Sequence, residues 1–352
     1  MKLIQTVDAE GAVLCHDITQ IIKEVTKDAV FRKGHVVTKE DIPVLLSVGK
    51  DWLYVWENQE GMLHENEAAR ILCEICENSN MEHSQPKEGK IELRAAIDGL
   101  FKVNNQGIRA INGFGQMMIA SRHGNFPVKK GDKLAGTRII PLVIEEEKMR
   151  AARQEAMKAT GGQPILKLMP FVHKKVGIVT TGNEVFYGRI QDTFTPVVKE
   201  KLQEFDTEVI SHVTWNDDDK KVTASILEMI ENGADVVICT GGMSVDPDDK
   251  TPLAIKNTGA RIVSYGAPVL PGAMFLLAYL DIKEEKGNRR AAIIGLPGCV
   301  MYARRTIFDL VLPRILADDE VTAQELAGLG QGGLCLNCPE CTFPNCGFGK
   351  GY

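Results

Sequence analysis

The chain has 352 residues, 44% of them hydrophobic and 25% charged, with a formal net charge of −6. That length exceeds a usual single core, so two or three domains are expected, and the acidic balance offers no electrostatic footprint for nucleic acid. No apolar run reaches the roughly 18 residues that span a bilayer and Met1–Asp8 lacks a secretory core, so a cytoplasmic protein is expected, its nine cysteines reduced or metal-bound.

Residues 1–62 read as a β-rich module. It has apolar runs at Gly11–Leu14 and Ile18–Ile22, then Val30–Val37 turning at Gly34. A short helix fits Lys39–Val48, stopped by Gly49, and a strand fits Trp52–Trp56. Residues 63–90 hold a helix over 64–78, on which Ala68, Ile71, Leu72, Ile75 and Cys76 recur at helical spacing, and then a polar linker with Pro86 and Gly89. A second β-rich module spans 91–144, with strands over Gly99–Val103, Gly107–Ile111, Gln116–Ser121 and Thr137–Ile144 and a turn at Lys129–Asp132. Within 145–171 a charged connecting helix, Glu145–Ala159, ends at Gly161-Gly162.

From 172 to 317 strands and helices alternate. The strands are Lys175–Thr180, Thr207–Val213, Ala234–Thr240, Arg261–Tyr265, Met274–Leu280 and Ala291–Gly295; the helices are Thr193–Phe205, Lys220–Asn232, Asp249–Asn257 and Val300–Leu316. This pattern predicts an α/β domain, a mostly parallel sheet covered by helices on both faces. Residues 318–352 are a glycine- and cysteine-rich tail too poor in apolar residues to build a core.

Loops after parallel strands gather at one sheet edge, where ligands bind. Four have ligand character: Thr180-Thr181-Gly182-Asn183-Glu184, the acidic turn Asn216–Asp219, Gly241-Gly242-Met243-Ser244 through Asp249, and Gly295-Leu296-Pro297-Gly298. A fifth stretch, Pro268-Val269-Leu270-Pro271-Gly272, is expected to border them. Glycine backbones with Thr and Ser hydroxyls suit a phosphate, and Glu184, Asp217, Asp218, Asp248 and Asp249 suit magnesium or protons. Taken singly, Thr-Gly-Asn-Glu reads equally as an ordinary turn, Asp217–Asp219 as a helix cap with first-turn acids, and Leu-Pro-Gly as a turn into the last helix.

The order of these pieces, from Val179–Val185 to Gly295–Gly298, resembles the molybdopterin-binding domain of molybdenum-cofactor biosynthesis proteins over about residues 172–317. The flanking modules are similar to those of the molybdopterin molybdenumtransferase branch. The resemblance implies an enzyme that binds molybdopterin or its adenylylated form and inserts molybdate into the dithiolene with magnesium. It also implies cofactor contacts at Thr180, Thr181, Gly182, Asn183, Gly241, Gly242, Met243, Ser244, Pro271, Gly272, Pro297 and Gly298, and catalytic acids at Glu184, Asp217 or Asp218, and Asp249. Where the family carries two lysines this chain has Leu270 and Ala273; Cys299 replaces an asparagine after Leu-Pro-Gly, and the usual helix asparagine is missing near Thr193–Thr195. These departures keep a non-catalytic cofactor carrier open beside the transferase, and another phosphorylated-ligand hydrolase is a third reading. Expected partners are molybdopterin and molybdate, with a molybdoenzyme, a redox partner or a second copy as further candidates.

In the tail, Cys335, Cys338, Cys341 and Cys346 form C-x2-C-x2-C-x4-C, flanked by Gly332-Gly333, Pro339 and Pro344. The spacing suits an Fe–S cluster and also tetrahedral zinc; a redox thiol set, an unstructured tail and interchain bonding stay open. Cys73 and Cys76 share a helix and read as buried, Cys15 and Cys239 as core residues, and the scattered histidines as structural.

Overall fold

The computed structural model describes residues 2–22, 26–55, 60–284 and 287–351; Trp56, the end of one expected strand, lies outside them. The chain divides into two compact units. One comprises residues 1–97, 102–122 and 129–168, the other 98–101, 123–128 and 169–352. Among the described residues no helix is long and apolar enough to cross a membrane.

The first unit is β-rich. Strands Lys2–Gln5 and Trp52–Val55 pair antiparallel, Ile18–Ile22 pairs with Thr26–Phe31, and a four-stranded sheet runs in the order 81–83, 90–95, 133–139, 117–121. Helix Glu65–Cys76 starts at a capping box on His64 and buries Ala68, Ala69, Leu72, Cys73 and Cys76. Gly107–Ile111, expected as a strand, belongs instead to a helix, Asn105–Asn112. The Asn104 side chain accepts from the Gly107 amide and caps it, and Gly107 packs where a Cβ would lie 2.7 Å from Thr160 Cγ2. The connecting helix expected at Glu145–Ala159 runs from Glu146 to Thr160 and buries Met149, Ala152 and Ala156 in this unit.

In the second unit, strand β1 (Lys174–Thr181) is followed by helix α1 (Phe194–Leu202), β2 (Thr207–Trp215), α2 (Asp219–Glu231), β3 (Val236–Thr240), α3 (Thr251–Asn257), β4 (Arg261–Tyr265), β5 (Leu276–Glu284), β6 (Gly287–Leu296), α4 (Ile307–Leu316) and α5 (Ala323–Gly328). The six strands form one sheet in the order β2-β1-β3-β6-β5-β4. The pairs β1–β2, β1–β3 and β3–β6 are parallel; β6–β5 and β5–β4 are antiparallel. The mostly parallel sheet is as expected. Only β5 runs against the other five strands, and it turns straight into β6 because the link between Glu284 and Gly287 is too short for a crossover.

Alternate residues of each central strand enter opposite cores. Val176, Ile178, Val236, Ile238, Ala292 and Ile294 pack with α1 and α4, while Val179, Val237, Cys239, Ala291 and Ile293 pack with α2 and α3. Helices therefore cover both faces. The last helix is shorter than expected: Gly298–Met301 is a 3-10 turn, and α4 starts only at Ile307, behind a capping box formed by Thr306 and Asp309.

Asp309 also anchors α1. Its Oδ1 lies 2.7 Å from Lys201 Nζ and 2.9 Å from Arg305 Nη1, its Oδ2 accepts from the Thr306 amide, and its side chain is 3% exposed. Asp309→Ala would leave the Lys201 ammonium buried and unpaired, a loss of about 3–5 kcal/mol. Urea unfolding of the two chains measures it; a loss below about 1 kcal/mol, the value of an exposed pair, would contradict the role given to this carboxylate.

Candidate functional site

The parallel register aligns the strand ends. Thr181 pairs with Trp215, Thr180 with Thr240, and Thr240 with Leu296, so the loops after β1, β2, β3 and β6 open at one edge. The chain order reverses between β1 and β3, because β2 adds on one side of β1 and β3 on the other. A crevice at such a reversal is where open α/β sheets bind ligands.

Two buried threonines at the end of β1 hold the loops. Thr181 Oγ1 lies 2.9 Å from Thr251 Oγ1 and donates to Thr240 O, while Thr180 Oγ1 lies 2.9 Å from Thr195 Oγ1 and 3.0 Å from His212 Nε2. Both hydroxyls are thus engaged inside the protein, and their contribution to the edge is to position its loops. Asp192, not singled out from the sequence, caps α1 by accepting from the Phe194 and Thr195 amides and reaches Thr180 at 3.4 Å. Burial pushes its carboxyl up, but the bonds from Thr195 and Phe194 and the nearby His212 more than offset this, so its pKa is held below the usual range. Only its place two residues before the Phe194 helix start could have marked it.

The glycines here are conformational requirements. At Gly241 (φ +85°) a Cβ would lie 2.1 Å from the Thr181 carbonyl oxygen, and at Gly242 (φ +55°) it would lie 2.7 Å from Thr251 Oγ1. Bulk at either position disturbs the fold before it reaches a ligand. Gly182 is buried, and at Gly272 (φ +132°) a Cβ would lie 2.5 Å from Ile307 Cγ2. Gly298 differs: it is exposed, and a Cβ there would meet only Met301 Cε, at 3.8 Å. Met243 is buried against Gly295 in the core, so its side chain is not at the loop edge. Ser244 is exposed, Pro297 buried and Pro271 half-buried.

The acidic residues separate into two roles. Asp218 caps α2, its Oδ1 accepting from the Lys220 and Lys221 amides. Asp217 instead accepts from the Asn183 amide at 3.2 Å, joining the β2 loop to the β1 loop. Burial raises the Asp217 pKa, and the charges of Glu184, Asp249 and Asp248 raise it further, against the lowering effect of the Asn183 amide. Their charges act on Asp217 together, and among the described residues no three of these carboxylates gather within 4.8 Å of one another. Asp249 Oδ2 accepts from the Ser244 amide at 2.8 Å, closing its loop, and Glu184 is exposed. Beside Asp217, Asn216 Oδ1 is buried without a hydrogen-bond partner among the described residues.

Leu270 and Ala273, standing where the resemblance has lysines, are both exposed. The backbone of Leu270 is occupied by the tail: its amide donates to Gly333 O and its carbonyl accepts from the Cys335 amide, each at 2.8 Å. Cys299 is half-buried with its thiol pKa raised by burial, and Cys239 is fully buried, its thiol pushed up to about 12. In the first unit Cys73, Glu77 and His83 bring three ligand-type atoms within 4.8 Å of one another. Sequence spacing missed this group, because His83 arrives from a separate strand. His83 Nδ1 pairs with Glu77 at 3.0 Å, and burial pushes the Cys73 thiol up to about 12.

Residues 177–317 match the family described as "Probable molybdopterin binding domain". Residues 3–57 match a second family, described as a domain of unknown function (DUF8806). A CinA-like protein of Mycobacterium tuberculosis is 36% identical over 81 residues, 23% of this chain and 19% of that protein. A Bacillus cereus protein named for competence-damage induction is 27% identical over 126 residues, 36% of this chain and 30% of its own length. The chain thus spans less than a third of either relative. Among solved structures, the tungsten cofactor synthesizing protein MoaB from Pyrococcus furiosus is 23% identical with a TM-score of 0.31, covering 36% of this chain and 84% of that one.

A raised Asp217 pKa means that the folded chain holds this proton more tightly than the unfolded chain. Ionising Asp217 therefore removes stability as pH rises from the ordinary value of 3.8 through the raised folded value, and the full cost is present above both. Asp217→Asn keeps an acceptor for the Asn183 amide and removes that cost. Thermal melts should show the variant more stable than the parent at pH 7, with the margin closing toward pH 4; a margin that widens on acidification would contradict the assigned shift.

Proposed function

We propose that the α/β domain binds molybdopterin or its adenylylated form at the carboxyl edge of the sheet and acts in molybdenum-cofactor biosynthesis, as a transferase that inserts molybdate into the dithiolene. The observation that carries this reading is the placement of Glu184, Asp217 and Asp249 on loops shaped by Gly182, Gly241 and Gly242, at a strand-order reversal inside the matched segment. Exposed Ser244 and Gly298 offer hydrogen-bonding groups and open backbone for a phosphate and a pterin ring.

The donor set fits magnesium. Its groups are hard oxygens, and Asn216 Oδ1 is a buried acceptor with no partner among the described residues. One or two of Glu184, Asp217 and Asp249 would hold the ion beside the phosphate of a bound ligand, where it would supply charge neutralisation at phosphate oxygens. Asp218, committed to the α2 cap, supports the loop from behind.

A second reading, a carrier that delivers finished cofactor, is favoured by one observation: at positions 270 and 273 the edge presents Leu and Ala instead of cations for molybdate oxygens. The two readings share the pterin contacts and differ in turnover.

Gly298→Val should keep the parent's melting temperature and weaken molybdopterin binding, measured by fluorescence titration, roughly tenfold or more through loss of backbone approach. Unchanged affinity would remove the Leu-Pro-Gly loop from the site. Asp249→Asn, tested by reconstituting a cofactor-free molybdoenzyme with molybdate and magnesium, should lower transfer roughly 10- to 100-fold while pterin affinity changes little. Equal transfer by variant and parent would take Asp249 out of the chemistry, and no transfer by the parent despite tight binding would establish the carrier.

A further inference from the structure

We propose that the carboxyl-terminal tail binds a [4Fe–4S] cluster through Cys335, Cys338, Cys341 and Cys346. All four cysteines line one cavity of about 420 Å³, although eleven positions separate the first from the last and no regular element carries them. The tail wraps a space that its own side chains do not fill, unlike the close packing of ordinary protein interiors.

The wall of this cavity is fixed by the protein. Cys335 is pinned by its amide bond to Leu270 O, and Arg304 Nη1 donates to Pro339 O between the second and third thiols. Phe343 stacks edge-on against Phe126 at 5.6 Å, and Phe348 is buried in the core beneath the sheet. Gly333 and Gly351 allow backbone contacts closer than any side chain would permit, with a Cβ placed 2.2 Å from Pro268 O and 2.1 Å from Gly328 O respectively. The segment is therefore seated on the domain by apolar packing, and a ligand inside the cavity is not needed to dock it.

The lining chemistry selects the occupant. The ligating groups in the cavity wall are four thiols with no carboxylate or imidazole among them, a soft donor set that disfavours magnesium or calcium. Tetrahedral zinc with Zn–S bonds of about 2.3 Å needs its sulfurs roughly 3.8 Å apart. Among the described residues no three of these thiols come within 4.8 Å of one another. A cubane places irons and sulfides between its thiolates and holds them farther apart, which suits the wider arrangement. Arg304 in the wall opposes the negative charge of a thiolate-bound cluster, whereas Arg305 is paired with Asp309 and Glu204. Each thiol gives up its proton on ligation, four for each cluster, and hydrosulfide gives up its own on becoming bridging sulfide.

The test uses the full chain, reconstituted without oxygen from equal amounts of ferrous and ferric iron with sulfide, which together supply the two Fe(II) and two Fe(III) of the brown cluster. The expected product is brown, with about four irons and four sulfides per chain and a broad visible band bleached by dithionite. Cys338 and Cys341 are exposed, so Cys338→Ser and Cys341→Ser should each fold with the parent's far-UV circular dichroism and lose most of the iron and sulfide. Stoichiometric zinc without iron, about two irons per chain, no metal after reconstitution, or full cluster content in both variants would each overturn the assignment.

Discussion

The close approach of β1 to the loop after β3 is the constraint on which the candidate pocket depends. The Thr181 carbonyl reaches so near Gly241 that no side chain fits there, and its hydroxyl ties Thr240 to Thr251 at the start of α3. The loop must leave β3 through two positive-φ glycines, and this sets the course of Met243–Asp249. Asp249 then closes that loop on the Ser244 amide, and Asp217 closes the neighbouring one on Asn183. Burial, with the charges of Glu184, Asp249 and Asp248, raises the pKa of Asp217 in the loops so placed.

Much of the α/β domain was legible because its central strands are covered on both faces. Val176–Val179, Val236–Cys239 and Ala291–Ile294 read as short continuous apolar runs, and amphipathic segments such as Val222–Ile230 separate them. Direction was less legible. Only the length of the link after Glu284 tells that β5 and β6 are antiparallel. The strand expected at Gly107–Ile111 failed because its apolar residues are few and the Asn104 cap, which decides the local conformation, is a single side chain.

The site was partly legible for the same physical reason. Loops at strand ends announce themselves through glycine and acid content, yet which groups remain available depends on contacts between distant positions. Thr180 and Thr181 are spent on the interior, Met243 packs into the core, and Asp218 caps a helix. The Asp192–Thr180–His212 arrangement joins residues up to 32 positions apart and leaves no spacing signal. The tail was the reverse case. Its cysteine spacing was plain, whereas its attachment along Leu270 and its burial of Phe348 follow from packing that composition does not display.

The central claim, that the carboxyl edge of the sheet is where a molybdopterin species binds, is tested most directly by following backbone amide chemical shifts of the full chain during titration with molybdopterin. The account expects saturable shifts concentrated at Gly182–Glu184, Asn216–Asp217, Gly241–Asp249 and Gly298–Cys299. Absence of saturable shifts, or shifts concentrated at the opposite edge around Lys174, Asp235 and Arg289, would contradict it.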